Sequence, residues 1–347
     1  MSNLRNKDLL QWLESHFSAE NISLIPLTGD AGFRRYFRFH NHNHNHNHSH
    51  GHHINNCYIA VDAPVKLSNN QAFVDVQQIL QDLGVNVPDM IAVDLKNGFL
   101  CLSDFGDTVL SERLSSENMQ HYYAKAIIEL SKMLKCKTAV VAKLPDYNVA
   151  FILTELAIFS EWLLEKHLGI YLTANEKIAL NACFDVLVSA IIAQPTVFMH
   201  RDYHSRNIML LANDKLGVID FQDAVKGPVI YDLVSLLKDC YVCWPKQLIM
   251  PLMEDYRQQV QNYFPDENLS KKKWQYWFDL TGLQRHIKAS GIFARLHHRD
   301  NKSGYLADIP LTLTYIQDVS AQYDKLNFLH ELVTQRVMPA VSKGSGF

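Results

Sequence analysis

The chain has 347 residues, of which 48% are hydrophobic, and its formal net charge is −3 at pH 7. This length exceeds what one small core needs and predicts two lobes or one large domain with insertions. The small net charge gives no electrostatic reason to expect nucleic acid or an anionic membrane as a partner.

The start of the chain, MSNLRNKDLLQWLESHF, has the pattern of an amphipathic helix with charges throughout. A secretory signal peptide would need an uninterrupted apolar run, and no stretch has the length of apolar sequence that crosses a bilayer. The six cysteines show no regular spacing and are typical of reduced thiols. We therefore expect a cytoplasmic protein without a membrane partner.

The first part of the chain has the pattern of a small antiparallel sheet with one main helix. Phe73, Val76, Leu80 and Leu83 recur at helical spacing and predict that helix. Short β-prone runs predict strands at residues 21–27, 33–39, 55–61, 90–95 and 98–102.

A histidine-rich segment, HNHNHNHNHSHGHH at residues 40–53, falls between the second and third predicted strands. Its low complexity predicts a solvated insertion in a hairpin loop. Dense imidazoles bind zinc or nickel in a test tube, so a metal store is one alternative function of the chain. That alternative predicts loss of function when the segment is deleted, whereas an enzymatic site elsewhere predicts little change.

From about residue 117 onward the chain is mostly helical. Helical periodicity covers residues 119–134, 149–168 and 173–193, and Thr173 is an N-cap candidate three residues before Glu176. The sequence thus predicts an α+β fold with a small sheet-containing N-lobe, residues 1–103, and a larger, mostly helical C-lobe, residues 104–347.

The most informative segment is MHRDYHSRNIMLLANDKLGVIDFQD, residues 199–223. It predicts a polar loop and then a hairpin of two apolar runs that ends on Asp220. The residues that follow this segment predict a turn at 226–228 and a helix over 229–241. Asp202 could accept a proton from an attacking hydroxyl, while Asn207 and Asp220 supply the oxygen ligands that Mg²⁺ prefers. Phosphoryl transfer requires this set, because its transition state is stabilised mainly by positioning and charge neutralisation.

This segment resembles the aminoglycoside phosphotransferase and choline kinase superfamily, a branch of the protein-kinase-like fold. His200, Asp202, His204 and Asn207 form its H-x-D-x-H-x-x-N loop, and Asp220 lies in an I-D-F triplet thirteen residues later. Longer stretches, from about residue 29 to about residue 315, are similar to the anomeric N-acetylmuramate/N-acetylglucosamine kinases of bacterial cell-wall recycling. They read GDAGFRRYFRF, DYHSRNIML, VIDFQDAVKGPVIYDLVSLLKDCY and RHIKASGIFARL.

The resemblance implies an ATP-dependent kinase that phosphorylates the anomeric hydroxyl of an N-acetylated amino sugar. Asp202 is then the base, and Asn207 and Asp220 bind Mg²⁺. Asp232 is expected to hold the backbone of the catalytic loop, which His200 and His204 brace. The residues expected to contact the nucleotide are Gly29, Asp30, Gly32, Arg34 and Asp104.

Arg285 and Lys288 share one face of a predicted helix. If that face meets the substrate, it suits the carboxylate of N-acetylmuramate, although a solvated basic face is equally consistent. Together with His286 and Asp223, they are the candidate sugar-binding residues.

The third predicted strand departs from the kinase-like pattern. That strand usually carries a lysine for the nucleotide phosphates, but YIAVDAP, residues 58–64, contains none. A catalytically silent nucleotide-binding protein therefore remains an alternative. A phosphotransferase of the same fold that acts on an aminoglycoside, choline or another sugar is a further one.

Overall fold

The structure, a computed structural model, describes residues 2–27, 33–41 and 56–344. The chain forms two compact units: Met1–Arg113 with Arg206–Asp223, and Leu114–Ser205 with Ala224–Phe347. The first contains an antiparallel sheet and the second is mostly helical, which confirms the α+β prediction. Within the described part of the chain, no helix is both long and apolar enough to cross a membrane. Nucleotide binding by residues 1–103 and catalysis by residues 104–347 stay predictions.

Among the described residues, the second unit holds most of the helices, and the first unit holds most of the strands. The strands are β1 Ile25–Leu27, β2 Arg35–His40, β3 Cys57–Asp62, β4 Met90–Asp94, β5 Phe99–Ser103, β6 Thr196–Met199, β7 Ile208–Leu210, β8 Leu216–Val218 and β9 Val225–Pro228. The helices are α1 Ser2–Phe17, α2 Asn70–Asp82, α3 Met119–Met133, α4 Thr138–Val141, α5 Val149–Ile158, α6 Ala174–Ile192, α7 Tyr231–Leu237, α8 Lys246–Tyr263, α9 Lys271–Asp300, α10 Ile309–Ser320, α11 Asn327–Leu332 and α12 Met338–Gly344. A π-helical segment, Phe159–His167, continues α5.

The sheet of the first unit has the strand order β1-β2-β3-β5-β4, with every pair antiparallel. Phe37 and Phe39 of β2 are buried with Leu9 and Leu13 of α1 on one face of this sheet. Because side chains alternate along a strand, Tyr36 and the other even-numbered residues of β2 lie on the opposite face.

The predicted hairpin is confirmed as β7 and β8, and it belongs to the first unit. Val218 donates its backbone N–H to the carbonyl of Asn86 at 2.8 Å, and the Asn86 amide donates to the carbonyl of Leu216 at 2.7 Å. Leu210 donates to the carbonyl of Thr108 at 2.9 Å. These bonds hold the hairpin in place. Asn207 and Asp220 lie next to its open end.

The predicted turn at residues 226–228 is wrong. These residues form β9, which pairs antiparallel with β6 so that Gly227 lies opposite Val197. A Cβ at Gly227 would lie 2.5 Å from the Met199 sulfur, so the glycine serves close packing rather than a turn. The helix that follows is also shorter than predicted, because α7 ends at Leu237.

The long helix α9 packs against α5, α6, α7, α10 and the π-helical segment. A Cβ at Gly291 would lie 2.6 Å from the carbonyl carbon of Ile158, so α9 approaches the backbone of α5 directly. The predicted N-cap of α6 is confirmed as a reciprocal capping box between Thr173 and Glu176.

Candidate active site

A pocket of about 140 Å³ in the second unit contains Asp202, the predicted base. Asp202 lies in the loop that follows β6 and is half-buried. Charged side chains and apolar or aromatic side chains both line the pocket. It is lined by Asp202, His204, Asp239, Cys240, Tyr241, Arg285, Lys288, Ala289, Ile292 and Phe293.

The charges around Asp202 keep its carboxylate ionised. Burial alone would raise the pKa of this group, but Lys288, His204, Arg201 and Arg285 lower it, and the pKa falls to about 2. The carboxylate is therefore present as an acceptor, not a donor, throughout the neutral range.

Glu155 of α5 is a buried carboxylate that holds two of these cations, Arg201 and Lys288, in place. One of its oxygens accepts from the Arg201 guanidinium at 2.9 Å and lies 2.9 Å from the Lys288 ammonium. The other accepts from the Tyr147 hydroxyl at 2.6 Å and the Gln284 amide at 3.0 Å. Burial opposes ionisation of Glu155, yet the two cations lower its pKa to about 2.

Sequence reasoning missed Glu155. The signal that could have found it is a single acidic residue in the otherwise apolar helix VAFILTELAI. A carboxylate at a buried helix position requires cationic or hydrogen-bonding partners, and this one takes them from the loop after β6 and from α9.

Asp232, near the start of α7, holds the backbone of the loop with both oxygens. It accepts from the N–H of His200 at 2.7 Å and from the N–H of Arg201 at 2.8 Å. Arg201 has a φ of +80°, a left-handed conformation that is costly for a residue with a side chain and persists only where contacts fix it. Burial raises the pKa of Asp232 to about 7, against the effect of the two N–H donors.

Two hydroxyl groups fix the far end of the loop. The Ser205 hydroxyl donates to Asp239 at 2.7 Å, and the Tyr203 hydroxyl donates to the carbonyl of Ala126 at 2.7 Å. His200 is fully buried with its ring against Tyr203, while the ring of His204 contacts Tyr241 beside the pocket.

The predicted sugar-binding residues of α9 separate in the structure. Arg285 donates to the carbonyl of Arg201 at 3.2 Å, and it lines the pocket together with Lys288. His286 does not line this pocket: its ring is buried, stacks on Tyr315 at 4.3 Å and lies 3.0 Å from the carbonyl of Lys238. Because successive residues of a helix are rotated by about 100°, a face shared by 285 and 288 excludes 286.

The predicted metal ligands lie together in the first unit. The Asn207 amide is 3.3 Å from the Asp220 carboxylate, and the N–H of Ile219 donates to the carbonyl of Asn207 at 3.1 Å. Asp220 is exposed and has a φ of +62°, and the Gln222 amide donates to its other oxygen at 2.7 Å. Rotating the Asn207 amide would present its oxygen beside this carboxylate, and the pair then fits the hard, oxygen-rich coordination of Mg²⁺.

Arg34 lies in the same unit as this pair. Its guanidinium lies over the ring of Phe73 at 5.5 Å, and Phe73 packs on Phe221 at 5.0 Å, next to Asp220. Arg34 donates to the carbonyl of Asn69 at 3.4 Å, but its buried Nε has no hydrogen-bond partner within the described residues.

The pKa of Tyr36 is affected by Arg34, Asp220 and Asp223, so all three residues lie near its hydroxyl. Burial, with contributions from Asp220 and Asp223, raises the pKa of Tyr36 to about 12, and Arg34 opposes this rise. Asp223 itself is exposed.

The other two arginines of this region are bound to carboxylates. Arg35 pairs with the buried Asp62, and Arg38 pairs with Asp104 and, at 2.7 Å, with Asp107. The side chain of Asp104, a predicted nucleotide contact, is therefore engaged within the unit. Three other predicted nucleotide contacts, Gly29, Asp30 and Gly32, and residues 42–53 of the histidine-rich segment lie outside the described residues.

Residues 25–267 match the phosphotransferase enzyme family. The chain is 36% identical over 313 residues to an N-acetylmuramate/N-acetylglucosamine kinase of Pseudomonas putida, a match that covers 90% of this chain and 88% of that protein. It is 34% identical over 337 residues, 96% of each chain, to a kinase of the same name from Neisseria meningitidis serogroup B.

Solved structures of the same fold include the choline kinase LicA from Streptococcus pneumoniae, with a TM-score of 0.56 and 14% identity over 92% of this chain and 99% of that one. Another is the ADP-bound aminoglycoside phosphotransferase APH(2'')-Ib, with a TM-score of 0.55 and 12% identity over 90% of this chain and 98% of that one. At these identities the likeness shows the fold, which is protein-kinase-like as predicted.

Glu155→Gln tests the charge that holds the loop. The substitution keeps the size of the side chain but leaves Arg201 and Lys288 without their carboxylate, so we expect the apparent free energy of unfolding to fall by about 3 kcal/mol. Urea denaturation of both proteins at pH 7 measures the difference.

Glu161→Gln is the matched control, because Glu161 forms an exposed ion pair with Lys166 at 3.1 Å. Its loss should change the free energy by less than about 1 kcal/mol. Equal effects of the two substitutions would show that Glu155 has no special part in holding the second unit together.

Proposed function

The chain belongs to the phosphotransferase enzyme family, and we propose that it transfers the γ-phosphoryl group of ATP to the anomeric hydroxyl of N-acetylmuramate or N-acetylglucosamine. The products are the sugar 1-phosphate and ADP. The sugar is suggested by relatives that are named as kinases of these two amino sugars. The observation that carries the proposal is Asp202, an ionised carboxylate in a small pocket that Arg285 and Lys288 also line.

Asp202 orients the acceptor and takes its proton. The anomeric oxygen forms a bond to the γ-phosphorus, the bond from that phosphorus to the β,γ-bridging oxygen breaks, and the hydroxyl proton passes to the carboxylate. A carboxylate with a pKa of about 2 is a weak base. That suffices because the transition state is loose and the attacking oxygen needs to lose its proton only late.

Asn207 and Asp220 would hold Mg²⁺, which neutralises the phosphate charge when it is bound with the nucleotide. Their amide and carboxylate oxygens are the donor types that this ion prefers. Because β7 and β8 pair as a hairpin, the two residues lie close together at its open end.

The pocket around Asp202 suits an uncharged or anionic sugar. Three cations, Arg201, Lys288 and Arg285, balance the three carboxylates of Glu155, Asp202 and Asp239, so the pocket has no excess of negative charge. Arg285 and Lys288 in its lining can bind the carboxylate of N-acetylmuramate, whereas a polycationic aminoglycoside or the quaternary ammonium of choline would require an acidic pocket.

The apolar and aromatic residues of the lining offer a second kind of contact. Tyr241 and Phe293 lie 6.0 Å apart, ring to ring, and line the pocket together with Ile292. Aromatic and apolar side chains of this kind can cover the C–H face of a sugar ring and the methyl group of an N-acetyl substituent.

Arg34 is the cation that we assign to the nucleotide phosphates in place of the lysine that β3 lacks. It has donor capacity that its contacts within the described residues do not use, and it is held on Phe73 next to the Phe221 that follows Asp220. Arg35 and Arg38, in contrast, are each paired with carboxylates.

Identification of the product tests the proposed reaction. We expect the chain, incubated with Mg²⁺ and ATP, to convert N-acetylmuramate or N-acetylglucosamine into a 1-phosphate, because Asp202 faces a pocket that suits these sugars. Mass spectrometry should show one added phosphate, and the phosphorus NMR signal should be coupled to the anomeric proton. Kanamycin and choline are the comparison acceptors. Phosphorylation of only these two, or of a non-anomeric hydroxyl, would contradict the proposal.

Arg34→Ala tests the phosphate contact. Loss of a charge-assisted hydrogen bond to phosphate should raise the KM for ATP by about 10- to 100-fold and leave the KM for the sugar unchanged. Steady-state kinetics with each substrate varied in turn separate the two values. Arg34→Lys, which keeps the charge, should recover part of the affinity. An unchanged KM for ATP in Arg34→Ala would assign the phosphates to another group.

A further inference from the structure

Three histidines of the second unit meet at the ends of two helical elements, and none of them lines the Asp202 pocket. His167 is the last residue of the π-helical segment, and His297 and His298 lie in the last turn of α9. One ring nitrogen from each can be chosen so that all three lie within 4.8 Å of one another.

The spacing of two of these nitrogens suits a tetrahedral metal ion. Two imidazoles on a zinc ion with Zn–N distances of about 2.0–2.1 Å have their nitrogens about 3.3–3.4 Å apart. The Nδ1 of His167 lies 3.1 Å from the Nε2 of His298, close to that value. A hydrogen bond between these two rings would account for this pair, but it would not account for the third histidine.

His297 is oriented as a metal ligand commonly is. Its Nδ1 lies 2.9 Å from the Ser303 hydroxyl, which leaves Nε2 for a ligand. Metal-binding imidazoles usually have the second nitrogen fixed by such a polar partner, which sets the ring orientation and the tautomer.

The charges around the cluster permit a cation. The two basic residues that line the same surface pocket as His298 have their own carboxylates: Lys166 pairs with Glu161 at 3.1 Å, and Arg299 pairs with Asp300 at 2.9 Å. The cluster also lies at the C-terminal end of α9, where the partial negative charge of the helix dipole favours a positive ion.

We propose that His167, His297 and His298 bind one divalent transition-metal ion of the zinc type, with water as the fourth ligand. Three neutral imidazoles favour Zn²⁺, Ni²⁺ or Cu²⁺ and disfavour Mg²⁺ and Ca²⁺, which take oxygen ligands. The ion joins the C-terminal end of α9 to the end of the π-helical segment, so its role is to stabilise the fold. It is a different site from the histidine-rich segment at residues 40–53.

Zinc binding to the full chain tests this site once the histidine-rich segment is silenced. We would replace the histidines at positions 42–53 by asparagine and use this protein as the background. After treatment with a chelator, it is titrated with Zn²⁺ in competition with a chromogenic chelator. We expect one equivalent to bind and the melting temperature to rise by about 3 °C or more, because the folded state brings the ligands together.

His298→Asn in the same background should remove that equivalent and the rise in melting temperature, since this exposed residue supplies one of three ligands. Ser303→Ala should weaken zinc binding by about tenfold or more through the loss of the contact to His297. His121→Asn, at another exposed histidine, is the matched control and should change neither value. Binding that is absent from the background protein, or that persists in His298→Asn, would overturn the proposal.

Discussion

Glu155 carries a negative charge inside the second unit, and four donors from three parts of the chain converge on its two oxygens. A buried carboxylate is tolerable only when its partners are all in place, and the same holds for Arg201 and Lys288. The group therefore couples α5, the loop after β6 and α9, because a shift of any of them would leave a charge unpaired. This coupling sets where Arg201 and Lys288 lie, and with them the electrostatic environment of Asp202.

The remaining support of the loop comes from Asp232, whose two oxygens bind consecutive backbone N–H groups while Arg201 adopts a left-handed conformation. The Asp202 carboxylate is thereby held in one place and stays ionised. Phosphoryl transfer depends on this kind of fixed placement, because the protein contributes positioning and charge rather than covalent chemistry. The buried ionic contacts thus serve the proposed reaction through geometry.

Local patterns predicted the parts of the fold that depend on neighbouring residues. Short β-prone and apolar runs located β4, β5, β7 and β8, and the capping residues located the start of α6, since turns and caps are local. Contacts between distant segments were not predictable in this way. The strand β9 was taken for a turn because its partner β6 is about 30 residues away, and Glu155 drew no notice because its partners, Arg201 and Lys288, lie far along the chain. His286 was grouped with its basic neighbours, although the helical rotation separates it from their face.

The most direct measurement is the turnover of Asp202→Asn with ATP and N-acetylmuramate, together with its KM for ATP. The substitution keeps the shape of the side chain but cannot accept the proton. The account predicts a loss in kcat of about 10²- to 10⁴-fold with the KM for ATP unchanged. Turnover within a few-fold of the unaltered protein would contradict it, because Asp202 would then have no part in the transfer.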